Sequence, residues 1–502
     1  MRTKIFFYNS ITTAFYQIIV MIAGFITPRI MLKYYGSEIN GLVSSINQFI
    51  VYFNLVEAGL SGAAIYALYK PLADQNHKAV NGVISAAKKF YTQSGYIFIS
   101  LTIGLAVFYP IFIKTQVLNQ FEVAILVLIL GVNGALEFFT LAKYRVLLSA
   151  DQRTYVISLA SLAHIIINTL IVVILGSMQV NIVVLRFVAL LSIFLRSFIL
   201  MIYVRKNYRF LDYNEKPNYQ ALHKRWDALY LQILGAVHIG APAVILTLIT
   251  KNLKLVSVYT IFNMVIAGIN GILSIFISGL SASFGDVIAK GETTVLQKAY
   301  REFEFAYYGL ITLVYSIAFV TIMPFIKIYT KGVTDINYDV PLIGFLFVLN
   351  GLLYNIKTPQ GMLVISAGLF KETKVQTTIQ GVIAVVVGLI LAPFYGIVGV
   401  LIGSILSNIY RDIDLLFFIP RNVTKLPIKS TALRIMRIAA ATLIICVPFL
   451  FFEINSTGYL SWVLDATAVG VYAVAVVLII SLIFERASLK DILARALRMV
   501  KR

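Results

Sequence analysis

The chain has 502 residues, 60% of them hydrophobic, a mean hydropathy of +0.88 and a formal net charge of +20. Soluble domains sit near half apolar; here the excess is gathered into runs of about twenty residues, the length that crosses a bilayer core of ~30 Å. The charges lie at the ends of those runs, so the surplus reads as membrane topology and excludes nucleic acid as the natural partner, while a single cysteine, Cys446, excludes an internal disulfide.

Fourteen spans are predicted in chain order, at 6–32, 41–69, 90–113, 121–142, 154–176, 181–204, 227–250, 255–283, 303–328, 340–366, 374–393, 397–419, 435–452 and 462–484. The opening Met1-Arg-Thr-Lys4 has the look of a signal peptide. No small-x-small cleavage site follows, however, and the apolar run continues to about Leu32, so it is expected to be a retained first span. Continuous runs, and not ten-residue alternations, predict helices over a barrel, and hence an all-α integral membrane protein. With the N-terminus in the cytoplasm, 32 lysines and arginines fall on the inside and 6 on the outside. That bias predicts an even number of spans with both termini cytoplasmic.

The longest inside loop, 205–226, carries six basic residues and follows the sixth span. It is expected to link two six-helix lobes of like orientation, 1–204 and 227–419, followed by two extra helices and a basic tail over 420–502. The loop also has the charge to meet anionic lipid or a partner, although positive-inside topology accounts for it.

Polar groups inside a span are costly and usually face a cavity or a partner. The second span carries Ser44, Asn47, Asn54, Glu57 and Ser61 on one broad face. The eighth carries Asn263, Asn270, Ser274, Ser278 and Ser281 within about 80° of helix surface, a pattern that suits close packing and cavity lining equally. In the tenth, Asn350, Tyr354 and Lys357 share a face just before the helix-breaking Pro359. Lys357 is too central to snorkel, which points to a water-filled cavity, an anionic partner or a structural pair with an acid such as Glu57 or Glu137. Arg29 follows Pro28 in the first span, and Arg186 and Arg196 lie in the sixth. Glu57 and Glu137 are the coupling-ion candidates, with Glu137 also in reach of Lys143 or Arg145. His164 and His238 are read as structural. Deep cations outnumber deep acids in this reading, and arginine's planar fork suits phosphate.

There is no nucleotide-binding loop and no Cys/His metal cluster. No cofactor or metal is therefore expected. Outer loops are short and no catalytic constellation stands out, so an enzyme is not expected.

Pro28-Arg-Ile-Met-Leu-Lys-Tyr-Tyr-Gly36, Gly41-Leu42 and Glu57-Ala-Gly-Leu60 resemble the opening of bacterial polysaccharide flippases of the multidrug/oligosaccharidyl-lipid/polysaccharide exporter superfamily. Lys143-Tyr-Arg145 through Ala150-Asp-Gln-Arg153 looks like that family's link between its fourth and fifth helices, and Pro393-Phe-Tyr-Gly-Ile-Val-Gly-Val-Leu-Ile-Gly403 like its twelfth-helix entry. The resemblance implies two six-helix lobes around a central cavity, Arg29 and Glu57 at the family's arginine and acidic positions, and export of an undecaprenyl-pyrophosphate-linked oligosaccharide across the bacterial plasma membrane. Capsule, O-antigen and teichoic-type polymers are all open. A drug/cation antiporter of the same fold and a peptidoglycan-precursor flippase are the alternatives; from another class, a scaffold for glycan-assembly proteins remains.

Overall fold

The computed structural model describes residues 2–222, 225–277, 280–452 and 454–490, and among these every regular element is a helix. Contacts divide the chain into two compact units, Met1–Thr260 with Val333–Ile336, and Ile261–Gly332 with Asn337–Arg502. The first holds α1 (Arg2–Phe53), α2 (Leu60–Ala73), α3 (His77–Phe112), α4 (Gln120–Leu136), α5 (Ala142–Ala150), α6 (Thr154–Ser177), α7 (Ile182–Leu190), α8 (Ser192–Asn207) and α9 (Arg225–Thr250). Helix α10 (Leu253–Ile277) opens in the first unit and continues in the second. The second unit then holds α11 (Leu280–Ala289), α12 (Thr293–Tyr329), α13 (Pro341–Ile356), α14 (Thr358–Ser366), α15 (Lys374–Tyr395), α16 (Ile397–Ile419), α17 (Ile428–Cys446) and α18 (Tyr459–Phe484).

All fourteen predicted spans fall on these helices, several of them broken. Eleven stretches among the described residues are long and apolar enough to cross a membrane. The first stretch contains two spans, because α1 folds over at Gly36, whose φ of 78° is open to glycine and strained for other residues. The second span is interrupted: a 3₁₀ turn at Asn54–Glu57 and left-handed Gly59 separate α1 from α2. The fourth, sixth and tenth spans are likewise split, into α4–α5, α7–α8 and α13–α14.

In the first unit α1 packs along α6, α3 along α4, and the second half of α1 along α9. Next to Gly36, the Ser37 backbone N–H and hydroxyl donate to the Asp335 carboxylate at 2.8 and 2.7 Å. Asn40 donates to Ser257 at 2.7 Å, fully buried. A Cβ on Gly41 would stand 1.8 Å from the Leu253 carbonyl oxygen, so this approach requires glycine.

Helix α8 runs on through Asn207, three residues into the predicted linker, and loop residues from 208 to 222 lie against the ends of the helices. The His77 and Phe210 rings stack at 3.9 Å, Asn81 donates to the Phe210 carbonyl at 3.0 Å, and the Asn218 N–H donates to the Gly82 carbonyl. Tyr208 donates to Asp151, which also pairs with Arg153 at 2.8 Å; burial and that carboxylate hold the Tyr208 phenol well above its usual range, so it keeps its proton. The Ala150-Asp-Gln-Arg153 motif is thus a turn, with Gln152 at φ 57°, onto which the linker folds.

In the second unit, the α15–α16 hairpin turns at Gly396, φ 54°. Its helices touch backbone to backbone. A Cβ on Gly399 would meet the Leu391 carbonyl at 2.5 Å, and one on Gly403 the Gly388 nitrogen at 2.8 Å. Small residues permit this approach, which in lipid substitutes close packing for a hydrophobic driving force. Helices α17 and α18 are clamped to α12 by buried charge. Arg434 bonds Glu304 at 2.8 Å and Glu485 at 2.5 Å, Arg437 bonds Glu485 at 2.5 Å, and Tyr300 and Thr431 donate to Glu304. Arg434, which the topology count placed in an inside segment, is only 9% exposed.

Gly403→Val should destabilise the protein by about 1–3 kcal/mol, the usual cost of overpacking, because the obstructing atoms are backbone and cannot rotate away. Thermal unfolding in detergent measures this, with Gly361→Ala, which meets nothing within 4 Å, as the control.

Candidate functional site

The first unit builds a chain of alternating charge. Glu57 bonds Arg145 at 3.2 Å, Arg145 bonds Glu137 at 3.0 Å, and Glu137 bonds Arg196 at 2.9 Å. A π-helical turn at Glu137–Leu141 sets this up. The wider turn absorbs one extra residue, so the eight residues from Glu137 to Arg145 span about two turns and the side chains share a face. Next to it Ser197 donates to Thr140 at 2.8 Å, and the Ser192 hydroxyl and His164 Nδ1 lie 3.0 Å apart. A cavity of about 580 Å³ opens beside the turn, lined by Phe139, Thr140, Lys143, Tyr144 and the α8 residues Phe194, Leu195, Ser197, Phe198 and Met201.

Two acids and two guanidinium groups make this chain neutral. Arg196 is therefore a paired cation, 12% exposed, and the expected surplus of deep positive charge does not hold here. The sequence reading left Arg145 out of the deep charges because it sits at the predicted end of the fourth span, although it lies inside the Lys143-Tyr-Arg145 motif. Of the first unit's other candidates, Arg186 on α7 has a buried Nε without a hydrogen-bond partner and interacts electrostatically with Tyr35. Arg29 is half-buried on α1, and Asn47 and Asn54 are exposed. Because Asn54 opens the 3₁₀ turn, the single polar face expected of the second span is split: Glu57 turns to Arg145 while the two amides stay open.

In the second unit, the tenth span breaks at Lys357, between α13 and α14. Pro359 follows directly, as the sequence predicts. The Lys357 ammonium donates to Asn408 of α16 and sits 4.8 Å over the Tyr354 ring; Asn408 in turn donates to Asn350 at 2.9 Å. Asn350, Tyr354 and Lys357 thus do gather on one face, as the spacing predicts. Asp412, one turn beyond Asn408, interacts electrostatically with Lys357, yet both its carboxylate oxygens are buried without a hydrogen-bond partner. Asp412 lay in a segment read only for its basic residues, and Arg411 beside it, counted there as an inside charge, is buried and bonds Asp414 at 2.6 Å.

A second polar cluster centres on Asn355, which donates to Asn270 and to Tyr315 at 2.8 Å each and accepts from Tyr307 at 2.7 Å. Asn270 is therefore part of a packing network among α10, α12 and α13. Farther along that stripe Ser281 meets Ser366 at 3.1 Å. Ser278 and the His238 side chain lie outside the described residues.

No family model matches the sequence, and no curated protein does. Solved structures do match the fold. The chain is similar to an inward-facing multidrug resistance MATE family transporter of the MOP superfamily, with a TM-score of 0.66 and 14% identity, covering 86% of this chain and 98% of that one. It is similar to the lipid II flippase MurJ in an inward closed conformation, with a TM-score of 0.67 and 16% identity, covering 95% and 98%. MATE in a bent conformation matches at 0.57 and 14%, covering 86% and 96%. At these identities the likeness is one of fold: the protein is a multi-pass membrane protein with the MATE/MurJ transporter architecture.

A double-mutant cycle on Glu57→Gln and Arg145→Met should give a coupling energy of about 1 kcal/mol or more, as expected for residues sharing one ion-pair network, whereas Glu57→Gln with Arg434→Met should be additive within about 0.5 kcal/mol. Unfolding of the purified variants reads both.

Proposed function

We propose that the protein is a flippase that carries an undecaprenyl-pyrophosphate-linked oligosaccharide from the inner to the outer leaflet of the bacterial plasma membrane, for surface polysaccharide synthesis. The observation that carries this reading is Lys357. It is a cation held at a helix break inside a span and surrounded by amides and an aromatic ring that can also hold a sugar. Arg186, with a buried and unmatched Nε–H, and Arg29 are further contacts for phosphate, and Asn47 and Asn54 for sugar. Arg196 serves through Glu137, which holds it in place.

In this reading the lobes 1–204 and 227–419 rock about a central cavity, the polyprenyl chain stays in lipid, and both termini face the cytoplasm. The fold shared with MATE transporters and with MurJ supports transport over enzymatic chemistry. The peptidoglycan-precursor reading draws on the similarity to a lipid II flippase. Essentiality of the gene favours it, while drug susceptibility of a deletion strain favours a multidrug antiporter.

Lys357→Ala should lower surface polysaccharide by about tenfold at equal protein level, the factor that ~1.4 kcal/mol of lost cargo binding carries. Arg186→Ala should lower it in the same direction. Undiminished export by both variants overturns the assignment of these cations to the cargo path.

A further inference from the structure

Helix α8 carries an apolar stripe that ends in a cation. Phe194, Phe198, Met201 and Arg205 follow one another at spacings of four, three and four residues, which puts them on one face. The first three line the cavity of about 580 Å³ beside the π turn, and Phe194 and Phe198 are 48% and 53% exposed. Phe139 and Lys143 line it from the other side, and the Phe139 ring meets that of Tyr96 on α3, itself 62% exposed, at 5.4 Å. The Ser197–Thr140 hydrogen bond ties the two walls together at 2.8 Å. Clustered exposed rings mark a surface that is covered in use, and on a membrane-spanning unit lipid is what covers it.

Positive charge collects at one end of this groove. Lys143 feels the repulsive charges of Lys88 on α3 and of Arg205. The Lys143 and Lys88 ammonium groups lie 5.1 and 5.6 Å from the centre of one ring, that of Tyr213 in the linker, and Lys143 is also 5.1 Å from the Tyr144 ring. Among the described residues no carboxylate pairs with Lys88, Lys143 or Arg205: Glu57 and Glu137 are held by Arg145 and Arg196, and Asp151 by Arg153. The two acids that flank Tyr213 are turned to backbone, Asp212 accepting from the Asn214 N–H at 2.9 Å and Glu215 from the Lys216 N–H at 3.3 Å. Three cations gathered without an anion repel one another. Positive-inside topology asks only that basic residues lie on one side. It does not ask them to converge at the mouth of an apolar groove.

We propose that this groove seats one anionic diacyl phospholipid of the cytoplasmic leaflet, its phosphate among Lys88, Lys143 and Arg205 and an acyl chain along Phe194, Phe198 and Met201. The cations stand at the end of the unit that the lysine and arginine bias assigns to the cytoplasm, the level of the headgroups. Basic pockets between spans on that side suit anionic headgroups. The phosphate supplies the negative charge that the cluster lacks, and Tyr213 remains its aromatic platform. A free anion would answer the cations and leave the rings uncovered; a phospholipid answers both. Lys88, Lys143 and Arg205 come from α3, α5 and α8, so one lipid fastens three helices and, through Tyr213, the linker. The site is independent of the cargo reading of Lys357.

The full-length protein, purified in detergent and stripped of native lipid, provides the test. Dioleoyl phosphatidylglycerol or dioleoyl phosphatidylcholine is titrated at constant ionic strength. Thermal unfolding is one readout, and lipid retained in native mass spectrometry is the other. Phosphatidylglycerol should stabilise the wild type saturably and be retained as a single molecule above the phosphatidylcholine background. Lys143→Gln with Arg205→Gln should weaken that specific binding about thirtyfold, about a factor of five for each cation. Lys88→Gln alone, with about a fivefold loss, stands in if the double variant fails to fold. Lys143→Arg and, in the second unit, the exposed Lys371→Gln should bind as the wild type does. Leu195→Trp, which fills the groove and leaves the cations in place, should lose the retained lipid.

Equal responses to the two lipids overturn the site, as does wild-type binding by the double variant or by Leu195→Trp. Inorganic phosphate that abolishes the difference between the lipids would make this a site for a free anion. Polyprenyl pyrophosphate that binds there in preference to phosphatidylglycerol would place it on the cargo path. Either result refutes a resident phospholipid.

Discussion

Charge buried in hydrocarbon has to be matched inside the protein, and most of this architecture follows from how that matching is done. Water cannot solvate a carboxylate or a guanidinium in a span, so each one must find a partner or a wet cavity. Glu57, Arg145, Glu137 and Arg196 solve the problem as a neutral chain, and Arg434 solves it by taking two carboxylates at once. These matches tie segments distant in sequence: the 3₁₀ turn before α2, the π turn with α5, and α8 in one unit, and α12, α17 and the segment after α18 in the other. Matching is incomplete at Arg186 and Asp412, and Lys357 is held by the Asn408 amide where a carboxylate would be expected.

The broken helices serve the same end. A regular helix presents each residue in a fixed rotation, and its backbone offers nothing to a ligand. The π turn at Glu137–Leu141 brings Arg145 over Glu137, the 3₁₀ turn at Asn54–Glu57 separates two exposed amides from a paired acid, and the break at Lys357 lets its ammonium reach α16. Irregular backbone of this kind is tolerated at membrane depth where it is buried in protein or lines a cavity. It occurs at three of the polar positions that the sequence singles out.

Much of the fold was legible in the residues. Runs of about twenty apolar residues leave little freedom in lipid, so all fourteen spans were placed and their helical character followed from backbone hydrogen bonding alone. The grouping of Asn350, Tyr354 and Lys357 was legible for the same reason, since α13 is regular up to Lys357. The pairings were not. Helical arithmetic assumes an unbroken helix, and it failed in the second span because Asn54–Gly59 departs from one. Arg145, Arg411 and Arg434 were counted as topology because each lies near a span end. Their burial depends on partners, Glu137, Asp414 and Glu304, whose proximity is a matter of packing. Asn270 was legible as polar and inward, but its bonds to Asn355 and Tyr315 required the neighbouring helices.

The α15–α16 hairpin has a consequence for how the chain assembles. Its two members are separated by a single glycine, so bringing them together closes almost no loop, and their backbone contact requires no element from elsewhere. Such a pair is complete as soon as its second helix has left the ribosome and entered lipid, before α17 and α18 exist. Helices α13 and α12 then meet a rigid two-rod surface, and the level of Ser407 against Gln380 is set from the moment of synthesis.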